Sequence, residues 1–86
     1  MSVNYKAGHE VGIPDYTMGA LENYIEKRLP PGGFLTAVLE DRLSGAFGRA
    51  DPSNLSALRE IVRWIYMNAP GDCWGSPEKV DAWLEG

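Results

Sequence analysis

The chain has 86 residues, of which 44% are hydrophobic and 23% charged, with a formal net charge of −4 and a single cysteine. A chain of this length forms one domain that buries only roughly 60% of its unfolded surface, and its apolar content excludes a disordered protein. The acidic balance argues against duplex nucleic acid as a partner, and Cys73 alone supports neither an internal disulfide nor structural zinc.

Residues 1–14 mix polar side chains with two glycines and show neither a helical nor a strand period, which predicts an N-terminal arm of the single domain 1–86. This segment has no apolar run of signal-peptide length, and no stretch of the chain is apolar for long enough to span a membrane. We therefore expect a cytoplasmic protein. His9 lies in the arm without a neighbouring Cys or His, which favours an exposed imidazole over a functional one.

The first predicted helix runs from about Asp15 or Thr17, either of which caps its start, to Leu29. Its apolar stripe repeats every fourth residue, at Leu21, Ile25 and Leu29. Two prolines then forbid its continuation, and two glycines begin a new helix, so Pro30-Pro31-Gly32-Gly33 predicts a corner. The glycines leave backbone N–H groups bare at the positive end of the new helix, where an anion can approach.

The second predicted helix is apolar on nearly every side from Phe34 to Leu39, which predicts either the central helix of the domain or one covered by a second subunit. Leu35, Leu39 and Leu43 form one row, and Phe34, Ala37 and Val38 form another. Two glycines, Gly45 and Gly48, predict that this helix frays, bends or ends between Leu43 and Ala50.

Asp51-Pro52 is a strong helix start, and the third predicted helix follows to about Asn68. Its predicted buried face is broad and comprises Leu55, Leu58, Ile61, Val62, Trp64, Ile65 and Ala69. After the turn 69–72, Ser76-Pro77 begins a short last helix whose Val80, Trp83 and Leu84 face inward. The sequence therefore predicts an all-α protein, a small bundle of three main helices plus a short C-terminal helix.

Several of these sequence segments, taken together, resemble those of a family of small bacteriophage and prophage proteins. The resemblance covers Tyr24 to Trp83 and rests on PGGFLTAVL at 31–39, GRAD at 48–51, Asn54, IVRW at 61–64, Tyr66, Ala69-Pro70 and WGSPEKV at 74–80. It implies a phage accessory protein that acts in the cytoplasm of an infected bacterium. No catalytic residues carry over from this resemblance, and we expect no cofactor.

The polar residues do not form a catalytic pattern. Catalysis by a nucleophile requires a base within hydrogen-bond reach, and the only histidine lies on the arm. Ser76 and Lys79 match the Ser-x-x-Lys spacing of some acyl-transfer enzymes, but a helix cap accounts for Ser76. Adjacent Glu40 and Asp41 point about 100° apart on a helix, so a solvated pair is favoured over a metal site. We expect a protein that is not an enzyme and holds no metal.

One set of residues predicts a ligand site, because helix N-termini and guanidinium groups suit phosphates while aromatic rings and arginines stack on purines. Its members are Gly32, Gly33, Phe34, Arg42, Arg49, Arg63, Tyr66 and Trp74. The competing interpretation is that the glycines only turn the chain, the aromatics are core and the arginines pair with surface carboxylates.

Two functions follow as hypotheses. The first is a phage counter-defence protein that forms a homo-oligomer and sequesters a small anionic, nucleotide-like signalling molecule without catalysis. The alternative is a protein-interaction module that modulates a host protein, with the arm and exposed aromatics as its anchors. A virion component is disfavoured, because the chain has no repeat or extended assembly element.

Overall fold

Seven α-helices and one 3₁₀ turn form the part of the protein that the structure, a computed structural model, describes, which is residues 3–86. The helices are α1 Tyr5–Glu10, α2 Asp15–Lys27, α3 Gly33–Leu39, α4 Leu43–Arg49, α5 Pro52–Ser56, α6 Leu58–Asn68 and α7 Pro77–Glu85, with the 3₁₀ turn Gly71–Cys73 before α7. No strand occurs in this range, so the all-α class is confirmed. The predicted division into three main helices and one short helix is not confirmed, because two of the predicted helices are each split and the segment 1–14 contains another.

Helix α1 lies in the segment predicted as an arm, of which Met1 and Ser2 fall outside the described residues. The Asn4 side chain accepts a hydrogen bond from the Ala7 N–H at 3.1 Å and so caps the helix. The Tyr5 ring stacks on Trp64 at 5.6 Å between centroids, and Trp64 Nε1 donates to the Asn4 carbonyl at 2.9 Å. The prediction of an arm without helical order is therefore wrong for residues 5–10, which pack against α6 of the same chain.

Helix α2 buries the stripe that its sequence predicts, including Leu21 and Ile25. The predicted cap is wrong, because Pro14 occupies the cap position and Thr17 lies inside the helix, where its buried hydroxyl donates to Asn54 Oδ1 at 2.5 Å. The helix ends at Arg28, whose φ of 58° turns the chain into the left-handed conformation. Leu29 therefore leaves the stripe and is exposed, contrary to prediction.

The second predicted helix is two helices, α3 and α4. The break comes before Leu43 and not after it, at Asp41, which has a φ of 64°. Gly45 and Gly48 lie inside α4 and do not end it. The chain itself covers α3, since Leu35 and Leu39 are buried and the remaining large apolar side chains pack partly against the core.

The third predicted helix begins as expected, with the Asp51 carboxylate accepting from the Asn54 N–H at 2.7 Å and Pro52 in the first position. The chain leaves helical geometry at Ala57, so α5 and α6 are separate helices. Helix α6 buries Ile61, Trp64 and Ile65. The wider buried face predicted for this stretch is wrong at Leu55 and Val62, which are exposed.

The last helix closes the core against α2. Ser76 caps α7 through the Lys79 N–H, and Val80 is buried, as predicted. The Trp83 indole N–H donates to the Tyr24 carbonyl at 2.9 Å, while the Tyr24 hydroxyl donates to the Cys73 carbonyl at 2.7 Å. The core thus lies between α2, α3, α6 and α7, with α4 on its outer side.

Candidate functional site

The eight residues that the sequence predicts as a ligand site do not share one cavity. Five of them lie around the glycine corner and the two ends of α4, and they are Gly32, Gly33, Phe34, Arg42 and Arg49. The other three, Arg63, Tyr66 and Trp74, lie on or against the outer side of α6. Only Arg42 is near both groups, because it lines a recess at the corner and another beside Trp74.

The corner owes its shape to Gly32. Its φ of 90° and ψ of 166° belong to a region that is essentially restricted to glycine. Gly33 is the first residue of α3 and has no positive φ. Helix α3 has only seven residues, and the Gly32 carbonyl accepts the first hydrogen bond of this helix, from the Thr36 N–H at 2.9 Å. A chain reversal therefore accounts for the geometry of the corner.

A recess of about 210 Å³ lies between the start of α3 and the end of α4. Arg49 crosses Gly33 closely, since a Cβ on Gly33 would lie 3.3 Å from Arg49 Cδ. Arg42 Nε is 3.2 Å from Glu40 Oε1, and Glu40 also lines the recess. One of the two arginines is thus paired with a carboxylate, and that carboxylate opposes an entering anion. The volume is also below the roughly 300–1,000 Å³ of small-molecule sites.

Phe34 lies in a different recess, of about 190 Å³, on the other side of the corner. Its polar lining includes Thr17 and Asn54, whose side chains are hydrogen-bonded to each other. The Phe34 ring itself packs partly against the core. Neither this recess nor the one beside Arg49 contains an aromatic ring and an arginine together, as stacking on a purine would require.

The large apolar side chains with the highest exposed fractions lie on the outer side of α4 and α6. We define the α4–α6 face as Leu43, Leu58, Arg59, Val62, Arg63, Tyr66 and Met67, which line one open depression of about 530 Å³. Leu43 is 72% exposed, Val62 44%, Tyr66 71% and Met67 66%. Phe47, 61% exposed, lies one helical turn beyond Leu43 on the same side of α4.

The depression continues towards Trp74. A second recess of about 170 Å³ shares Leu43, Leu58 and Val62 with the first and adds Trp74. Tyr66 meets Trp74 edge to face, with centroids 5.8 Å apart and the rings at 64°. Because they share three lining residues, the two recesses adjoin, and together we call them the groove, which has an aliphatic floor and an aromatic pair at its side.

Positive charge accompanies this groove. Its charged lining residues are Arg42, Arg59, Arg63 and Asp41. Among residues 3–86, neither Arg59 nor Arg63 forms an ion pair, whereas Arg42 is paired with Glu40. Two guanidinium groups thus lie beside an apolar surface without a carboxylate partner from the described chain.

The sequence places Arg63, Tyr66 and Trp74 in the predicted ligand site but misses the aliphatic floor, because it predicts Val62 as buried and places Leu43 only in an apolar row of the second predicted helix. The signal was present in α6, which carries apolar residues on more than one side. A small domain covers only one side of such a helix.

Burial or surface hydrogen bonds account for Cys73, His9 and Tyr16. Burial raises the pKa of the Cys73 thiol to about 11, which opposes formation of a thiolate. His9 Nδ1 lies 2.9 Å from Asp15 Oδ1 on the surface. The Tyr16 hydroxyl bonds to Asp51 at 2.5 Å and, with the Asn54 N–H, holds the pKa of Asp51 below its usual range. Within residues 3–86, no group of three or more His, Cys, Asp or Glu side chains is placed to hold a metal ion.

The fold and this surface define a class, a small all-α protein with an apolar groove that residues 3–86 leave open. In comparisons with known proteins, no family model, no curated protein and no solved structure matches the chain. Among the helices of residues 3–86, none has both the length and the apolar character needed to cross a membrane.

Proposed function

We propose that this protein is a protein-interaction module that binds through the α4–α6 face. The observation that carries the proposal is the continuous groove in which Leu43, Val62, Tyr66 and Met67 keep 44–72% of their surface in water. Apolar side chains in contact with water cost roughly 25 cal/mol per Å², so a contiguous group of them favours a bound partner.

The chemistry of the groove is that of a protein interface. Tyrosine and arginine are enriched among the residues that contribute most binding energy, and here they flank an aliphatic floor. Tyr66 is held in place by Trp74, which lowers the entropy cost of ordering its ring on binding. Of the anchors expected from the sequence, the exposed aromatics include Tyr66, whereas the first segment of the chain packs its Tyr5 on Trp64 and lies outside the groove.

The test is capture of a host protein by immobilised wild type, Val62→Asp and Leu55→Asp. Leu55→Asp is a matched control, since Leu55 is 42% exposed against 44% for Val62 but does not line the groove. We expect one stoichiometric protein to be retained by the wild type and the control and lost with Val62→Asp. Equal retention by all three would contradict a role for the face.

A second candidate function is sequestration of a small anionic, nucleotide-like molecule, as a counter-defence protein in the cytoplasm of an infected bacterium. It is supported by Arg49, which lies against the bare backbone of Gly33 and forms no ion pair among residues 3–86. Because the recess there holds only about 210 Å³, this function requires a second copy to complete the site, and so a homo-oligomer.

Two measurements test this second candidate. A nucleotide panel should raise the melting temperature of the protein, since a ligand that binds only the folded state stabilises it. Gly33→Ala and Arg49→Ala should each weaken that binding more than tenfold. Light scattering that gives the monomer mass of 9.5 kDa, or an unchanged melting temperature with every nucleotide, would exclude it.

A further inference from the structure

We propose that the segment that occupies the α4–α6 face is an acidic amphipathic helix of a partner protein. Its apolar row lies on the floor of the groove, and its carboxylates meet Arg59 and Arg63. This inference rests on the proposed function and adds the chemical nature of the partner.

The first argument is a local reversal of charge. The groove is lined by three arginines, of which Arg42 is already paired with Glu40, and one aspartate, so its lining carries a net charge of +2, whereas the whole chain carries −4. The rest of the chain therefore carries −6. An acidic segment is attracted to the groove and repelled elsewhere, which favours this one surface and this orientation.

The second argument is spacing. Arg59 and Arg63 are four residues apart on α6 and lie on the same side, about 5–6 Å apart at Cβ. Carboxylates one turn apart on a partner helix repeat at the same interval. Each guanidinium presents a planar pair of donors that matches a carboxylate, and neither arginine has another partner among residues 3–86.

The third argument is that the apolar side chains beside the arginines also have the spacing of a helix. Leu58, Val62 and Tyr66 follow one another at intervals of four along α6, and Leu43 of α4 lines the same depression. An apolar row at helical spacing fits along this aliphatic floor, as in helix-in-groove recognition. A partner helix with apolar residues on one side and acidic residues at its edge satisfies both parts of the surface.

A second copy of this chain does not satisfy the surface equally. In a two-fold symmetric pair each copy brings the same patch, so the joined grooves would carry twice +2, a net charge of +4. Like charges brought together at an interface oppose association. Nucleic acid supplies negative charge, but it offers no aliphatic row for the floor and meets a net charge of −6 around the groove.

The experiment uses two synthetic helical peptides of about 18 residues with the same leucine row, flanked by glutamates in one and by lysines in the other. Both are titrated calorimetrically into the full-length protein. We expect the glutamate peptide to bind at least tenfold more tightly, and its affinity to fall with rising salt because the exposed charges are screened.

Charge reversal supplies the control. Arg59→Glu/Arg63→Glu should invert the preference between the two peptides. Lys6→Glu/Lys27→Glu makes the same change in net charge at exposed positions outside the groove and should leave the preference intact. Equal affinity for both peptides, or the same loss of preference in both double variants, overturns the proposal.

The outcome separates this inference from the proposed function. If host-protein capture depends on Val62 but the peptides do not discriminate, the acidic partner is wrong and the interaction face stands. If capture does not depend on Val62, the face itself is wrong. A dimer mass that Val62→Asp reduces to 9.5 kDa would show that a second copy occupies the groove and would overturn the acidic partner.

Discussion

Two tyrosine–tryptophan pairs show how differently this protein treats the same residue types. The first pair, Tyr24 and Trp83, has ring centroids 6.5 Å apart and lies where α7 closes the core, which we call the closed side. Tyr24 is fully buried there, and both side chains donate hydrogen bonds to backbone carbonyls. Tyr66 and Trp74, 5.8 Å apart, lie at the open side, where Tyr66 is exposed and meets Trp74 only through ring packing.

The contrast indicates what fixes each region. Burial raises the pKa of Tyr24, as expected of a phenol held away from water, and its hydroxyl satisfies the Cys73 carbonyl. The closed side is therefore ordered by directed polar contacts as well as by packing. At the open side, ring packing orders Tyr66 but leaves most of its surface available to a partner.

The largest expected difference in stability is between variants that truncate Tyr24 and Tyr66. Tyr24→Ala should lower the free energy of unfolding by about 3–5 kcal/mol, because it leaves a cavity and an unsatisfied carbonyl. Tyr66→Ala should change it by no more than about 0.5 kcal/mol, as is usual at an exposed position. Urea denaturation followed by circular dichroism measures both. Similar losses for the two variants would remove the distinction between the regions.

A second pair tests the glycine corner between the regions. Gly32→Ala should cost about 1–3 kcal/mol, because its backbone conformation is nearly forbidden to other residues. Gly33→Ala should be neutral or stabilise by up to about 1 kcal/mol, since φ is not positive there and only the flexible Arg49 side chain must move. The same denaturation experiment applies. A larger loss for Gly33→Ala than for Gly32→Ala would contradict the backbone assignment.

A third pair compares glycines within helices of the two regions. A Cβ on Gly8 would meet Met18 Sδ and, at 2.6 Å, Met18 Cε, and Met18 is buried. Overpacking costs roughly 1–3 kcal/mol of stability. The higher helix propensity of alanine offsets at most about 1 kcal/mol of that cost. Gly8→Ala should thus destabilise, whereas Gly48→Ala in α4 meets open space and should stabilise by up to about 1 kcal/mol. Thermal unfolding should give melting temperatures that shift in opposite directions.

The smallest effect at neutral pH concerns Cys73. Its folded pKa, about 11, lies above the ordinary value of 9.0, so its protonated form stabilises the fold fully below pH 9 and that contribution is lost as the pH rises towards 11. Cys73→Ala should cost roughly 1 kcal/mol at pH 7 and should lose less stability than the wild type between pH 9 and 11. Identical alkaline slopes for the two proteins would contradict a buried thiol.

Local signals in the sequence predict a helix start well where an Asp-Pro or Ser-Pro pair caps it, and they predict the helix ends poorly. Asp51-Pro52 and Ser76-Pro77 carry their caps within four residues, so no distant contact is needed to place them. Arg28 and Asp41 end helices with positive φ although neither is glycine. For Arg28 the cause is remote, since its guanidinium lies 3.5 Å from the centre of the Trp83 ring and donates to the Trp83 carbonyl.

The candidate site shows the same division. Arg63, Tyr66 and Trp74 were predicted as part of a site, and the structure places all three beside the groove. Val62 was predicted as core and Leu43 as part of an apolar row, because apolar spacing identifies a helix face without saying whether another helix covers it. Which side of α6 stays open is decided by where α1 and α5 pack, and no local pattern contains that information.

The hydrogen bonds that close the core also set the order in which this protein can be completed during synthesis. Trp64 to Asn4, Tyr24 to Cys73 and Trp83 to Tyr24 join residues separated by 60, 49 and 59 positions. Individual helices form within about a microsecond, but such distant contacts wait for the chain between them. While α7 is still inside the ribosome, α2 and α3 lack their cover and the emerging chain exposes its apolar interior. A chaperone that binds short apolar segments would therefore meet this protein chiefly in the interval before Trp83 is released.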